Sequence, residues 1–243
     1  MKDKNKSCSM AAVLASLVLP LAAQGKEAVL EEVIVTAEHR ESSLQDAQVA
    51  VTALTSSDIE QYGISNAGEI GAIVPNLTMM QLTLGRTGFS PNMRGIGANE
   101  VLISFDPAVG LYMDDVLLSK NVGALIDVAD MERIEVLRGP QGTLYGRNTI
   151  GGAINIITRK PVDVWEGSVK ATLGKYGQRD LKGILNIPLA DANSAMGALS
   201  VRATAATIHR DGLVDNTYEH RVVDELGTKD RDVLSLQTLW QPL

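Results

Sequence analysis

Asp127 to Pro161 reads DVADMERIEVLRGPQGTLYGRNTIGGAINIITRKP, and few folds accommodate such a segment. Two short apolar runs, Arg133-Ile134-Glu135-Val136-Leu137 and Ala153-Ile154-Asn155-Ile156-Ile157, flank a loop carrying Gly139, Pro140, Gly142, Gly146, Gly151 and Gly152. Ile134 and Val136, then Ile154 and Ile156, recur at period two, which predicts half-buried strands. Glycine at this density implies backbone at positive φ, or backbone packed where no Cβ fits. The unit is therefore β-loop-β with a constrained loop. A phosphate cradle is the first functional thought for such a loop, but no Gly-Lys-Ser/Thr triplet exists in the chain. The other candidate, Gly95-Ile96-Gly97, has Glu100 in the place of a third glycine and no helical pattern after it.

From Glu166 onward the pattern is simpler. Val169, Ala171 and Leu173 alternate with Ser168, Lys170 and Thr172; Leu181, Gly183, Leu185, Ile187 and Leu189 alternate with Lys182, Ile184 and Asn186. Leu199, Val201, Ala203 and Ala205 alternate with Ser200, Arg202 and Thr204, and Leu234, Leu236 and Trp240 with Ser235 and Gln237. These are four strands of about 10 residues, each with one apolar and one polar face, as in a transmembrane β-barrel. A soluble sandwich alternates in the same way. Connection lengths favour the barrel: Asp191-Ala192-Asn193-Ser194 is a tight turn and residues 209–229 form a long polar loop, matching short periplasmic turns and long external loops.

Compartment follows from the N-terminus. Lys2, Lys4 and Lys6 precede an apolar run from Met10 to Leu19, then Pro20 and the small residues Ala22 and Ala23. Residues 1–23 thus predict a secretory signal peptide, the apolar run being shorter than the ~20 residues that span a bilayer. Cys8 is the only cysteine, so no disulfide is expected. A net charge of −7 argues against nucleic acid as a partner. Gly-x-Ser-x-Gly, His-Glu-x-x-His and paired cysteines are absent, so no catalytic constellation, cofactor site or protein-ligated metal is expected. A secreted β-rich enzyme is accordingly the weaker reading.

Between these ends, Ala50-Val51-Thr52-Ala53-Leu54-Thr55 reads as a strand. Ser57 with Glu60 three residues on forms a possible capping box, Gly63 is a helix stop, and a second short helix is expected from Asn66 to Ile73, ended by Pro75. Residues 78–99 are glycine-rich and read as loop. Val109 to Val116 reads as a strand and turn in which Asp115 takes left-handed backbone.

The run ERIEVLRGPQGTLYGRNTIGGAINIIT closely resembles the end of the plug domain of TonB-dependent outer-membrane receptors. Met93-Arg94-Gly95-Ile96-Gly97, the stretch from Val51 to Leu77 and the Val109–Val116 strand and turn are similar to further plug segments. Glu32-Val33-Ile34-Val35-Thr36-Ala37 resembles the TonB box, which works by adding a strand to a periplasmic partner; the plainer reading of these residues is a first or edge strand.

The resemblance implies an α+β plug domain, a small mixed sheet with short helices, followed by the first four or so antiparallel strands of a transmembrane β-barrel. Its boundaries would be 31–38 for the box, 44–161 for the plug and 164–243 for the barrel strands. Four strands against the about 22 of plugged transporters imply a truncated, N-terminal part. The short spacing from leader to box disfavours a signalling domain ahead of it. The family's role is active uptake of a scarce nutrient, most often an iron-siderophore complex, with TonB and outer-membrane lipid as partners and the metal held inside the chelate. In the family, Arg94 and Arg138 would pair with barrel-wall glutamates. Gln81, Arg86 and Phe89 are placed as ligand contacts at the apical loop. The alternatives are a non-transporting relic or a periplasmic plug-like binding module.

Overall fold

The computed structural model describes residues 33–36, 42–64, 66–81, 88–97, 106–119, 130–191, 194, 196–218 and 225–242. These all belong to one compact unit, Val33–Leu243. The expected signal peptide lies outside the described residues.

The chain enters as β1 (Ile34–Val35), which pairs antiparallel with β2 (Ser42–Ser43). β3 (Val51–Thr55) runs straight into α1 (Ser56–Gln61). The capping box is Thr55 with Asp58: Thr55 Oγ1 accepts from the Asp58 N–H and the Asp58 carboxylate accepts from the Thr55 N–H. It therefore starts two residues before the Ser57/Glu60 box that the sequence suggested, because the strand leaves no linker before the helix. Gly63, at φ +65°, ends the turn as expected. The second short helix is 3-10 in form, Ala67–Ala72, capped by the Asn66 side chain on Gly68.

Residues 78–99, read as loop, contain a hairpin instead: β4 (Leu77–Gln81) pairs with β5 (Phe89–Met93). Pro91 is tolerated because this sheet has only two strands, so the edge away from β4 needs no donor. Next come β6 (Val109–Met113), a turn in which Asp114 and Asp115 both take positive φ, and β7 (Val116–Leu117). β8 (Met131–Arg138), the four-residue α2 (Gly142–Tyr145) and β9 (Gly152–Thr158) complete the module.

The resulting sheet is mixed and five-stranded, in the order β3-β8-β9-β6-β7, with β6 and β9 parallel. One face packs Leu111, Ile134, Val136, Ile154 and Ile156 on Ile59, Ile70 and Leu77. The other gathers Val35, Tyr112, Leu137, Tyr145 and Ala153. Both faces are covered, so β9 is buried from Gly152 to Ile157 rather than half-buried as its periodicity suggested. The second cover is the N-terminal segment, with Val33, Leu44, Ala47 and Val49 lying over it.

The glycine-rich loop is closed on itself. Gly139 N–H donates to Gly151 O at 3.0 Å, Gln141 N–H to Thr149 O at 2.9 Å and Thr149 Oγ1 to Gly146 O at 2.7 Å. At Gly152, with φ +151°, a Cβ would stand 2.3 Å from Leu137 O. Gly151 and Gly152 thus serve packing, while Gly139 and Gly146 take the positive φ that the turns need.

Four long antiparallel strands follow: β10 (Glu166–Leu173), β11 (Arg179–Ala190), β12 (Ala198–Arg210) and, after the minor hairpin β13 (Val214–Asp215) and β14 (Glu225–Leu226), β15 (Lys229–Gln241). Their order is β10-β11-β12-β15. The faces are inverted relative to a soluble protein. Val169, Leu173, Leu185, Leu234, Leu236 and Trp240 are exposed, whereas Asn186, Ser200, Arg202 and Thr204 are buried against the α+β module. No helix among the described residues is long and apolar enough to cross a membrane; spanning strands are a separate matter.

Candidate functional site

Two contacts concentrate buried polar chemistry. The first holds the N-terminal strand. Val35 is fully buried, while Ile34, pointing the other way, is 43% exposed. The next residue is clasped by a carboxylate 99 positions away: the Thr36 N–H donates to Glu135 Oε1 at 2.7 Å, and Thr36 Oγ1 reaches the same oxygen at 3.2 Å. Glu135 lies on central strand β8 with 0% exposure, and Arg133 Nε donates to its Oε1 at 2.8 Å. The Arg133 guanidinium also donates to Thr36 Oγ1 at 3.1 Å and pairs with Glu132. The other Glu135 oxygen is buried and has no hydrogen-bond partner among the described residues. Glu32 and Ala37, the ends of the expected box, lie outside the described residues.

Behind this clasp sits an aromatic pair. Tyr112 and Tyr145 meet edge-on at 4.9 Å, and Tyr112 OH donates to Tyr145 O at 2.6 Å. Burial pushes both phenols upward, and for Tyr145 the Glu135 and Asp115 carboxylates add to the shift while a hydrogen bond with Asn155 opposes it. Asn155 in turn donates to Asp115 Oδ1 at 2.8 Å. The partners of Glu135 Oε1 and of the Asn155 amide thus include residues brought from distant parts of the chain.

The second contact joins the α+β module to the four-stranded sheet. Arg202, 2% exposed on β12, makes a bidentate pair with Asp130, Nε–Oδ2 at 2.5 Å and Nη2–Oδ1 at 3.1 Å. Its Nη1 reaches Glu166 Oε2 at 3.0 Å, and Thr204 Oγ1 donates to Asp130 at 3.1 Å. Around it, Ser200 donates to Asp163, Gln237 to Thr158, and the Asn186 amide to the carbonyls of Val162 and Val164. A cavity of about 490 Å³ beside this contact is lined by Ile59, Glu60, Asp130, Lys170, Lys182 and Ile208, among others.

The sequence reading missed both Asp130 and Arg202. A usable signal existed: Arg202 lies between Ser200 and Thr204 on the polar face of an alternating strand, and a cation turned inward requires a carboxylate. The expected arginines behave differently. Arg94, at φ +52°, is exposed, and its Nη1 lies 3.5 Å from where a Gly139 Cβ would stand. Neither makes an ion pair with a described residue, and Arg138 Nε is buried without a hydrogen bond. The Arg202–Asp130 pair has the cation on the wall and the carboxylate on the module. Of the expected ligand contacts, Gln81 lies in β4 opposite Phe89 and Arg86 falls outside the described residues. Phe89 is turned inward, 7% exposed, with its ring where a Gly68 Cβ would be. No cluster of three metal-ligating side chains occurs among the described residues.

Residues 43–153 match the TonB-dependent Receptor Plug Domain family. The chain carries the plug domain of the TonB-dependent receptors. It is 30% identical over 184 residues to the pesticin receptor of Yersinia pestis, covering 73% of this chain and 26% of that protein. It is 29% identical over 205 residues to the iron-regulated outer membrane virulence protein of Vibrio cholerae, covering 80% and 30%. The crystal structure of the ferric yersiniabactin uptake receptor from Yersinia pestis shares the fold, with a TM-score of 0.69 and 24% identity over 80% of this chain and 29% of that one. The chain thus spans about a quarter of the length of these relatives. In TonB-dependent receptor terms, the five-stranded module is the plug and the four long strands are barrel strands, as the sequence reading expected.

Proposed function

We propose that this chain acts in TonB-dependent uptake across the outer membrane, with strands β10, β11, β12 and β15 in the bilayer and the plug on their inner side. One observation carries the reading: the sheet exposes Val169, Leu173, Leu234 and Leu236 and buries Asn186, Ser200, Arg202 and Thr204 on the plug. In water that arrangement leaves a large apolar face bare; in lipid it is the favoured one. Trp165 and Trp240 are exposed at one end of the sheet and Tyr176 at the other, where aromatic belts lie at membrane interfaces.

Residues 32–37 are the segment that engages TonB, and the cargo is a nutrient chelate of the iron-siderophore class. Support for the cargo is family membership with receptors whose names specify iron or a ferric chelate. The domain limits 1–23, 31–38, 44–161 and 164–243 and the pairing of Arg94 and Arg138 with wall carboxylates belong to this proposal. So do the ligand contacts Gln81, Arg86 and Phe89, the last of which requires its ring to leave the packing on Gly68.

The test is to express the chain with its own N-terminus and fractionate the membranes. Recovery in the outer membrane, with Leu234→Cys and Leu236→Cys labelled by a lipid-soluble but not by a charged maleimide, is expected. Equal labelling by both reagents would overturn the bilayer placement. Binding of the purified periplasmic domain of TonB, lost on deletion of residues 32–37, tests the second part.

A further inference from the structure

We propose that Glu135 is the clasp that keeps residues 33–36 folded onto the plug and withholds them from a strand-adding partner; the second half rests on the TonB-box reading. Strand addition needs backbone donors and acceptors that are free. In this structure several of those in residues 33–36 are engaged. Val33 O accepts from the Leu44 N–H at 2.9 Å, Ile34 and Val35 are paired with Ser43 and Ser42, and the Thr36 N–H is held by Glu135 at 2.7 Å. Val35 is inserted among Tyr112, Leu137, Tyr145 and Ala153 at 0% exposure. A partner strand therefore competes with an internal one.

Glu135 dominates that competition for a physical reason. The β1–β2 ladder is two residues long and of marginal strength alone. A buried carboxylate is expensive without donors, and Thr36 supplies two groups to its Oε1. Arg133 spans both partners, so its charge favours the closed arrangement as well. When residues 33–36 leave, Glu135 keeps Arg133 and loses Thr36. The carboxylate thus ties the central strand to the tail across 99 residues of sequence.

The experiment uses the full chain in a Cys8→Ser background with Val35→Cys as the reporter, since position 35 is shielded only while the strand is docked. Glu135→Gln keeps the volume and removes the charge; Thr36→Val removes the hydroxyl and keeps the N–H. Maleimide labelling of Cys at position 35 should rise on the order of tenfold in Glu135→Gln and by a smaller factor in Thr36→Val, the loss of a charge-assisted hydrogen bond setting the scale. A parallel reporter, Val136→Cys on the opposite face of β8, is buried at 0% exposure in the other cluster and should stay protected, showing that the plug remains folded. Unchanged labelling at position 35 with protection at 136 would overturn the clasp. Exposure of both positions in Glu135→Gln makes Thr36→Val, a change outside the central sheet, the deciding variant, and protection there also overturns it. Binding of the TonB periplasmic domain is measured on the same samples. Faster labelling with tighter binding supports the whole proposal. Faster labelling without any binding keeps the clasp and rejects the box reading.

Discussion

The Asp130–Arg202 contact allows a graded prediction, because its three members differ in exposure. Arg202 is 2% exposed, Asp130 is 12% exposed and Glu166 is 45% exposed. Asp130→Ala leaves a guanidinium buried on the sheet with only the half-exposed Glu166, and breaking a buried pair in this way costs about 3–5 kcal/mol. Arg202→Met leaves Asp130 with the Thr204 hydroxyl and some access to water, so the expected cost is smaller, about 1–3 kcal/mol. Glu166→Ala removes a pair that solvent screens, at about 0–1 kcal/mol. The double change Asp130→Ala/Arg202→Met should cost much less than the sum, with a coupling of about 2 kcal/mol. Urea titration in detergent micelles, followed by fluorescence of Trp165 and Trp240, reads the sheet, these being the chain's two tryptophans. Equal costs for Asp130→Ala and Glu166→Ala would show that the pair is not a desolvated anchor and would refute the reasoning.

Other consequences can be measured on the same protein. Gly152→Ala places a Cβ 2.3 Å from Leu137 O and 2.4 Å from Met93 Sδ at φ +151°. It should destabilise the plug by more than about 3 kcal/mol and abolish its protease resistance; retained resistance would contradict this packing. Leu236→Lys, on the outward face of β15, should weaken folding into lipid vesicles by about 2–4 kcal/mol. Equal folding of Leu236→Lys and the parent chain would argue against lipid contact there. Tyr112 and Tyr145 are both held above the ordinary 10.0 in the folded plug. Unfolded tyrosine gives up its proton first as pH rises, so their contribution is full below about pH 10 and is lost as pH climbs through the raised folded values. The urea midpoint should therefore fall more steeply between about pH 9 and about pH 11 in the parent than in a Tyr112→Phe/Tyr145→Phe variant; parallel slopes would refute it.

The sequence carried the local signals well. Alternation from Glu166 onward corresponds to the four long strands, and Gly63 and Asp115 take the turn positions that their chemistry suggested. What it could not show were contacts between distant segments. Period two at Ile134, Val136, Ile154 and Ile156 describes one face of β8 and β9. The other face includes Glu135 and Asn155, whose burial depends on a cover made by residues 33–36 and 42–49. Polar residues in an apolar strand read as solvent-facing until that cover is known. The β4–β5 hairpin was hidden for another reason: Gly85, Gly88 and Pro91 are loop-forming by propensity, and only the cross-strand pairing of Leu77–Gln81 with Phe89–Met93 outweighs them. Arg202 and Asp130 are 72 residues apart, and no local pattern encodes their pairing.

These two contacts also divide the plug mechanically. Its C-terminal end is tied to the wall at Asp130, Thr158, Val162, Asp163 and Val164, largely through buried or half-buried hydrogen bonds. Its N-terminal half meets the wall through Glu60–Lys170 at 3.7 Å and Glu69–Lys229 at 3.8 Å, solvent-screened pairs worth about 0–1 kcal/mol each. A pull applied at the N-terminal strand therefore loads the weaker side first. The two-residue β1–β2 ladder and the Thr36–Glu135 clasp lie in series with it, ahead of the five-residue β3–β8 pairing. Ordered release is the expected response: the N-terminal strand leaves, β3 and α1 follow, and the β8–β9 pair stays anchored to the wall through Asp130 and Thr158. Replacing Lys170 and Lys229 by alanine should leave that order unchanged, whereas Asp130→Ala should free both ends of the plug together. Force spectroscopy pulling on position 33 separates the two outcomes, as two successive unfolding steps in the lysine variants and one merged step in Asp130→Ala. A merged step in the parent chain would show that the wall contact does not hold β8 and β9 more firmly than the clasp holds residues 33–36.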